Sequence, residues 1–136
     1  MTAITTPRFK ESTDSLLRFA MRADATCSGL MGIAGIPLAG WLAETSGTPI
    51  AFEYAVSATF IAFAAGVFWL AARPAVRRAG LVLAIGNLAY TVASVVFVLV
   101  DVFPLTTVGV VLTLAVGVYT LIMAELQYQG WRRMKA

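Results

Sequence analysis

Residues 22–41 of this chain read RADATCSGLMGIAGIPLAGW. Between the two ends Asp24 carries the only charge, and about twenty residues at 1.5 Å rise are enough to cross the ~30 Å hydrocarbon core of a bilayer. Basic and tryptophan side chains are typical of the two interfaces of a membrane, and Arg22 and Trp41 stand at the two ends of the stretch. The sequence therefore predicts a membrane-spanning helix here.

The composition extends this prediction to the whole chain. Of its 136 residues 60% are hydrophobic and only 12% are charged, against about 25% charged residues in an average soluble domain. We predict an integral membrane protein with spans at about 22–42, 50–72, 79–100 and 105–126. These spans form one transmembrane domain, 15–128, between a polar and mobile N-terminal segment, 1–14, and a basic cytoplasmic tail, 129–136. Residues 1–20 lack the features of a cleaved secretory signal, so we expect the N-terminus to be retained.

The distribution of basic residues predicts the orientation of the spans. All of them fall in segments that share one side if both termini are cytoplasmic: Arg8, Lys10, Arg18, Arg22, Arg73, Arg77, Arg78, Arg132, Arg133 and Lys135. The opposite turns hold Glu44, Glu53 and Asp101 instead. By the positive-inside rule we predict an antiparallel up-down bundle of four transmembrane helices in the bacterial cytoplasmic membrane, with a short amphipathic N-terminal helix before the first span. The basic segments suit anionic lipid head groups rather than nucleic acid.

Small residues recur every three or four positions in three of the spans, which favours close packing of membrane helices. The predicted packing residues are Ser28, Gly29, Gly32 and Gly35 in the first span and Gly109, Thr113 and Gly117 in the fourth. The second span carries a similar face of Ala58, Ala62, Ala65 and Gly66. Most such faces belong to a bundle core, and a face that the bundle leaves unused would serve a second copy or a membrane-protein partner.

Charged and amide side chains within spans are costly, so they are candidates for function. Asp24, Asn87 and Glu125 could converge in the cytoplasmic half of the bundle, with Arg22, Tyr90, Gln127 and Tyr128 nearby. One interpretation is a cytoplasm-facing polar pocket in which Asp24 or Glu125 takes up protons. The other is structural: Asp24 pairs with an arginine at the interface, Glu125 is solvated and Asn87 bonds to a neighbouring backbone.

Several kinds of chemistry have no support in the sequence. The chain has no histidine and one cysteine, Cys27, which we interpret as a small packing residue. It contains no phosphate-binding glycine loop, metal-ligand spacing or nucleophile elbow. We therefore predict no cofactor, no metal site and no catalytic residue, since an enzyme would depend on carboxylates and tyrosines alone.

Four features of the chain resemble a known group of proteins: the opening MRADATCSG, the ARP loop, the isolated Asn87 and the ending AELQYQGWRR. They are similar to those of small four-span integral membrane proteins of actinobacteria, some of which are described as DoxX-like. The resemblance implies a four-helix fold in the cytoplasmic membrane. The quinone and sulfur redox chemistry of DoxX-type proteins is not carried over, because this chain lacks histidine and a cysteine pair.

In size and span count the chain also resembles small multidrug transporters. Their key glutamate lies well inside span one, where this chain has only Asp24, near the edge of the span.

These observations favour a non-enzymatic membrane protein that acts as a homo-oligomer or as an accessory subunit of an envelope or transport complex. The alternative is a small proton-coupled transporter or channel with Asp24, Asn87 and Glu125 in its pocket. A lipid-modifying or redox enzyme is a third hypothesis.

Overall fold

The computed structural model describes residues 2–134, with side chains from Asp14 to Met134. In this part of the chain it contains four α-helices: α1 (Thr2–Ser46), α2 (Ile50–Ala71), α3 (Arg77–Val100) and α4 (Thr107–Arg133). All four are long and apolar enough to cross a membrane. The predicted all-helical fold with four candidate spans is confirmed at this level.

Two helices extend more than a few residues beyond the predicted spans. The amphipathic segment before the first span is not a separate helix but the beginning of α1, because neither glycine nor proline interrupts residues 8–28. Likewise α4 continues to Arg133 and takes in most of the predicted basic tail. The described part excludes residues 135–136 and the side chains of residues 1–13. The mobility predicted for the N-terminal segment therefore stays a prediction.

The connection between α1 and α2 meets the connection between α3 and α4 at one end of the helices. Gly47 ends α1 in the left-handed conformation with φ of 80°, and its amide donates to the Ala43 carbonyl at 2.9 Å. The Thr106 amide, just before α4, donates to the Ser46 carbonyl at 3.0 Å. The Thr106 hydroxyl accepts from the amide of Gly109 and so caps α4. We call this the acidic end, since it carries Glu44, Glu53 and Asp101.

Arginine side chains hold the helices together at the opposite end, which we call the basic end. The Arg18 guanidinium donates to the carbonyls of Ala71, Arg73 and Pro74 at 2.8, 2.7 and 2.9 Å. It therefore stabilises the C-terminus of α2, where carbonyl groups lack partners within the helix. On α3 the Arg77 Nε donates to the Met134 carbonyl at 2.8 Å, and its guanidinium lies 4.6 Å from the Trp131 ring centroid.

Small residues bring three pairs of helices close together: α1 with α2, α1 with α4, and α3 with α4. A Cβ added at Gly32 would lie 2.6 Å from the Ser57 carbonyl oxygen of α2, and one added at Gly130 would lie 2.7 Å from the backbone of Leu17. By contrast α2 and α3 contact each other through rings, with Phe60 and Tyr90 centroids 6.1 Å apart. Glycine permits close approach and aromatic rings keep two helices apart, so the bundle is tighter on one side than on the other.

The second span buries a different face from the small-residue face identified in the sequence. Ala58, Ala62, Ala65 and Gly66 are exposed, whereas Ser57, Ala64, Val67 and Ala71 are buried. Both faces of α2 contain small residues, so small size alone does not select the face that contacts α1. The hydrophobic core lies toward the basic end and includes Leu17, Met21, Val67, Val76 and Leu83.

Candidate functional site

The side chain of Asp24 lies inside the bundle and is 0% exposed. Its Oδ2 accepts hydrogen bonds from Asn87 Nδ2 and Gln127 Nε2, both at 2.8 Å. Its Oδ1 accepts from the Tyr119 hydroxyl at 2.6 Å and from the Ser28 hydroxyl at 3.1 Å. We call these five residues the Asp24 network.

Three helices position the network. Ser28 follows Asp24 by one turn of α1, Asn87 comes from α3, and Tyr119 and Gln127 lie about two turns apart on α4. Asn87 Nδ2 also donates to Gln127 Oε1 at 2.9 Å, which orients both amides toward Asp24. The network therefore joins residues far apart in the chain, since Asp24 and Gln127 are separated by 103 positions.

The hydrogen bonds match what a carboxylate can accept. An ionised carboxylate has about four lone-pair sites and no donor, and Asp24 receives bonds from four donors. In residues 14–134 no buried side-chain nitrogen or oxygen lacks a hydrogen-bond partner. The site is thus satisfied by neutral dipoles, as burial of a polar group requires.

No cation balances this carboxylate among the side chains from Asp14 to Met134. The one ion pair in that range joins Arg18 Nε to Asp14 Oδ2 at 2.9 Å, at the basic end. Arg22, two positions before Asp24, is exposed. A buried acid held only by neutral donors is uncommon in a membrane helix, and it makes Asp24 the strongest functional candidate in the described part of the chain.

The two oxygens of Asp24 differ in what surrounds them. Asn87 and Gln127 present amide groups to Oδ2, and an amide N–H can only donate. Ser28 and Tyr119 present hydroxyls to Oδ1, and a hydroxyl can either donate or accept. The Tyr119 hydroxyl also lies 3.1 Å from the Asp24 backbone carbonyl, so it has a second acceptor if its bond to Oδ1 reverses. Oδ1 can therefore carry a proton without leaving a group unpaired.

The structure brings together two of the five sequence-predicted pocket residues, Asp24 and Asn87. Glu125 is exposed and accepts from Gln129 Nε2 at 2.7 Å, one turn along the same helix. Arg22 and Tyr90 are exposed and do not bond to Asp24, and the Tyr90 ring packs against Phe60. Among the described side chains, Asn87 bonds to Asp24 and Gln127 and not to a neighbouring backbone, and Asp24 pairs with no arginine. These two parts of the structural interpretation therefore do not hold for the described residues.

Sequence reasoning missed Tyr119 as a member of the network and considered Gln127 only as a neighbour. A signal for Gln127 was present, because it continues the α4 face of Thr120 and Ala124 at helical spacing, and all three residues are buried. Tyr119 lies beside that face and is only half-buried, so spacing does not reveal it.

The predicted packing residues lie between helices or within the network. Gly29, Gly32 and Gly35 face Ala64, Ser57 or Ile61 of α2, Gly109 faces Ser46 of α1, and Gly117 faces Ser94 of α3. The Thr113 hydroxyl donates to the Gly109 carbonyl at 2.8 Å within α4. Ser28 differs from the glycines because its hydroxyl belongs to the Asp24 network.

A row of hydroxyls on α3 leads from the network toward the acidic end. The Thr91 hydroxyl lies 3.1 Å from the Asn87 carbonyl and 2.9 Å from the Gly117 carbonyl, to which it can donate. One turn further, the Ser94 hydroxyl donates to the Thr91 carbonyl at 2.7 Å. Ser94 in turn lines a cavity among the four helices, whose lining residues do not include Asp24. The polar face of α3 thus lies between the Asp24 network and the cavity.

Comparisons with protein-family models, with curated proteins and with solved structures find no match to this chain. The resemblance to DoxX-like and other four-span proteins stays a prediction.

Proposed function

We propose that this chain is a multi-pass protein of the bacterial cytoplasmic membrane, an antiparallel up-down bundle with both termini in the cytoplasm. Four apolar helices of spanning length support the membrane location. The contacts of Arg18 and Arg77 collect basic segments of α1, α2, α3 and α4 at one end. Basic residues remain preferentially on the cytoplasmic side, so the basic end faces the cytoplasm.

Within that membrane we propose a non-enzymatic role, the transport of a small solute coupled to proton binding at Asp24. The observation that carries this proposal is the fully buried Asp24 carboxylate, which receives four hydrogen bonds from neutral groups and pairs with no cation in the described part of the chain. Proton-coupled membrane proteins need an acid that is shielded from water and can exist in two protonation states.

The geometry allows Asp24 to hold a proton. Tyr119 is half-buried, and its hydroxyl contacts both Asp24 Oδ1 and the Ser28 hydroxyl, at 2.6 and 3.2 Å. When Oδ1 is protonated, its O–H group becomes a hydrogen-bond donor. The Tyr119 or Ser28 hydroxyl then rotates and accepts this hydrogen bond instead of donating one. The two hydrogen bonds that the Asn87 and Gln127 amides donate to Oδ2 remain in place.

Protonation at Asp24 is coupled to helix packing because the network spans α1, α3 and α4. A neutral acid accepts weaker hydrogen bonds than a carboxylate, since charged acceptors make bonds roughly twice as strong as neutral ones. The bonds from Asn87 and Gln127 therefore weaken when Asp24 is protonated, and α3 and α4 are held less firmly to α1. The Asn87 carbonyl accepts from the Thr91 hydroxyl, the first in the row that leads to Ser94 and the cavity. A solute in that cavity would therefore contact the same face of α3 that binds Asp24.

The test is a flux measurement on the full chain in proteoliposomes with a pH gradient and a dye that reports internal pH. The probe is the small-molecule pool of a host-cell extract, separated from protein by size. We expect the extract to accelerate proton flux through the wild-type protein and not through Asp24→Asn. The matched control, Glu125→Gln, removes an exposed acid of α4 and should behave as wild type. Equal flux through Asp24→Asn and wild type would overturn the proposal.

Association with a partner is the second candidate, as a homo-oligomer or as an accessory subunit of a larger complex. It is favoured by the exposed small-residue face of α2, where a Cβ added at Gly66 would meet no heavy atom within 4 Å. The bundle thus gives no steric reason for a glycine there. In a Cys27→Ser background, Ala62→Cys on this face should cross-link two copies in membranes, whereas Val82→Cys on exposed α3 should not. Absence of a cross-link, together with recovery of a lone monomer from native membranes, would count against association.

A further inference from the structure

The cavity between the helices has a volume of about 580 Å³ and lies toward the acidic end. Pockets for small organic molecules measure roughly 300–1,000 Å³. Side chains of all four helices line it, with Phe52, Glu53 and Phe60 from α2 and Tyr90 and Phe97 from α3. The cavity exists because these large rings, and not small residues, separate α2 from α3.

Aromatic rings form one wall of the cavity. The Phe52 and Phe97 rings, which line the cavity, are stacked with centroids 5.5 Å apart. Phe103 does not line the cavity but supports both rings edge-on at 5.2 and 5.9 Å. The face of such a ring is electrically negative and attracts cations within about 6 Å of its centroid. This wall therefore suits either an apolar group or an alkylated ammonium group.

Glu53 supplies the charge on the same cavity. Its Oε1 accepts a hydrogen bond from the Thr48 hydroxyl at 2.5 Å, and the residue is half-buried. The sequence contains no lysine or arginine between Arg22 and Arg73 or between Arg78 and Arg132, so no basic side chain belongs to the spans around the cavity. The cavity thus combines an acid, aromatic rings and no cation of its own.

We propose that this cavity binds a small organic cation with an apolar body. The ammonium group lies near the Glu53 carboxylate, and the apolar part lies against Phe52, Phe60 and Phe97. The hydroxyls of Ser57 and Ser94 border the deeper part of the cavity and can orient a polar substituent. Binding of the cation follows from the cavity alone. Only its identification as the transported solute rests on the proposed function.

The test is equilibrium dialysis of radiolabelled benzyltrimethylammonium against the full chain in nanodiscs of zwitterionic lipid. We expect saturable binding of one probe molecule per chain. Glu53→Gln keeps an acceptor for Thr48 and removes the charge, so it should weaken binding about tenfold or more. The matched control is Glu44→Gln, which removes an exposed acid from the same end and does not line the cavity. It should bind as wild type.

A second variant tests the location independently of charge. Ala93 is exposed on α3 and lines the cavity, so Ala93→Phe fills the space without disturbing a buried contact. It should abolish saturable binding while its melting temperature stays close to wild type. The proposal is overturned if the wild-type protein shows no saturable binding, if Glu53→Gln and Glu44→Gln bind equally, or if Ala93→Phe binds as wild type. Binding without proton flux would leave the cavity assignment standing and remove the transport function.

Discussion

The Asn87 amide and the Asp24 carboxylate lie 2.8 Å apart, although 63 positions separate them in the chain. Asn87 is the one asparagine in the sequence, and both residues are buried. Their bond links α1 to α3, two helices that otherwise make few direct contacts because α4 packs between them and joins both. The Asp24 network is therefore a structural connection between distant helices as well as a candidate proton site.

Substitution of Asn87 tests the structural part of this connection. Asn87→Ala leaves Asp24 Oδ2 with one donor and leaves Gln127 Oε1 without its donor, so the free energy of unfolding should fall by about 2 kcal/mol. The measurement is reversible unfolding in mixed detergent micelles, followed by circular dichroism.

The control for that measurement is Gln129→Ala, which removes an exposed bond to Glu125 within one helix and should change stability little. If Asn87→Ala and Gln129→Ala unfold alike, the network does not hold α3 to α1.

Close packing of α1 on α4 is tested at Gly130. A Cβ there would lie 2.7 Å from the Leu17 backbone, and backbone atoms cannot move aside as the tip of a side chain can. Gly130→Ala should therefore lower the free energy of unfolding by about 2 kcal/mol. Gly86→Ala makes the same chemical change at an exposed site with no heavy atom within 4 Å, so it should be neutral or slightly stabilising. The same effect at both positions would show that helix propensity, and not packing, decides the outcome.

Arg18 is expected to stabilise the basic end. Arg18→Gln removes hydrogen bonds to three carbonyls at the end of α2 and the ion pair with Asp14. The guanidinium is partly solvated, so we expect a loss of only about 1 kcal/mol, together with faster proteolysis of the connection from α2 to α3. Limited proteolysis from the basic end measures this directly. The control variant Arg22→Gln removes an exposed charge and should leave the cleavage rate unchanged. If both variants are cleaved at the same rate, Arg18 does not stabilise the basic end.

The proposed orientation predicts which connections are accessible from each side. In a Cys27→Ser background, Ala75→Cys lies in the connection between α2 and α3 and Val102→Cys in the one between α3 and α4, and both positions are exposed. A membrane-impermeant maleimide added to intact cells should label Val102→Cys and spare Ala75→Cys. Inverted membrane vesicles should give the reverse pattern. Labelling of both sites from one side would be incompatible with an up-down bundle.

The fold was largely predictable from the sequence because spanning length and apolar composition act locally. Each of the four segments satisfies these requirements by itself, so their number follows without knowledge of their neighbours. The ends of the helices were less predictable. The helix α4 runs beyond its predicted boundary to Arg133 because no proline after Pro104 interrupts it. The buried face of α2 was not predictable, because both of its faces contain small residues.

The site was predictable only in part, and the reason lies in the range of the interactions. Asp24 and Asn87 stand out because polar residues are costly in an apolar span, whatever surrounds them. Their partners depend on the rotation of α4, which brings Gln127 and Tyr119 inward and leaves Glu125 exposed. That rotation is determined by contacts such as Gly130 with Leu17 and Gly109 with Ser46, which no single span reveals.

Infrared difference spectroscopy shows most directly whether Asp24 binds a proton inside the bundle. Acidification of the purified protein should produce the carbonyl stretch of a protonated carboxylic acid at a frequency typical of a buried group. Asp24→Asn should lack that band, and Glu125→Gln should retain it. An identical band in Asp24→Asn and in the wild-type protein would show that the proton binds elsewhere and that Asp24 is not the proton site.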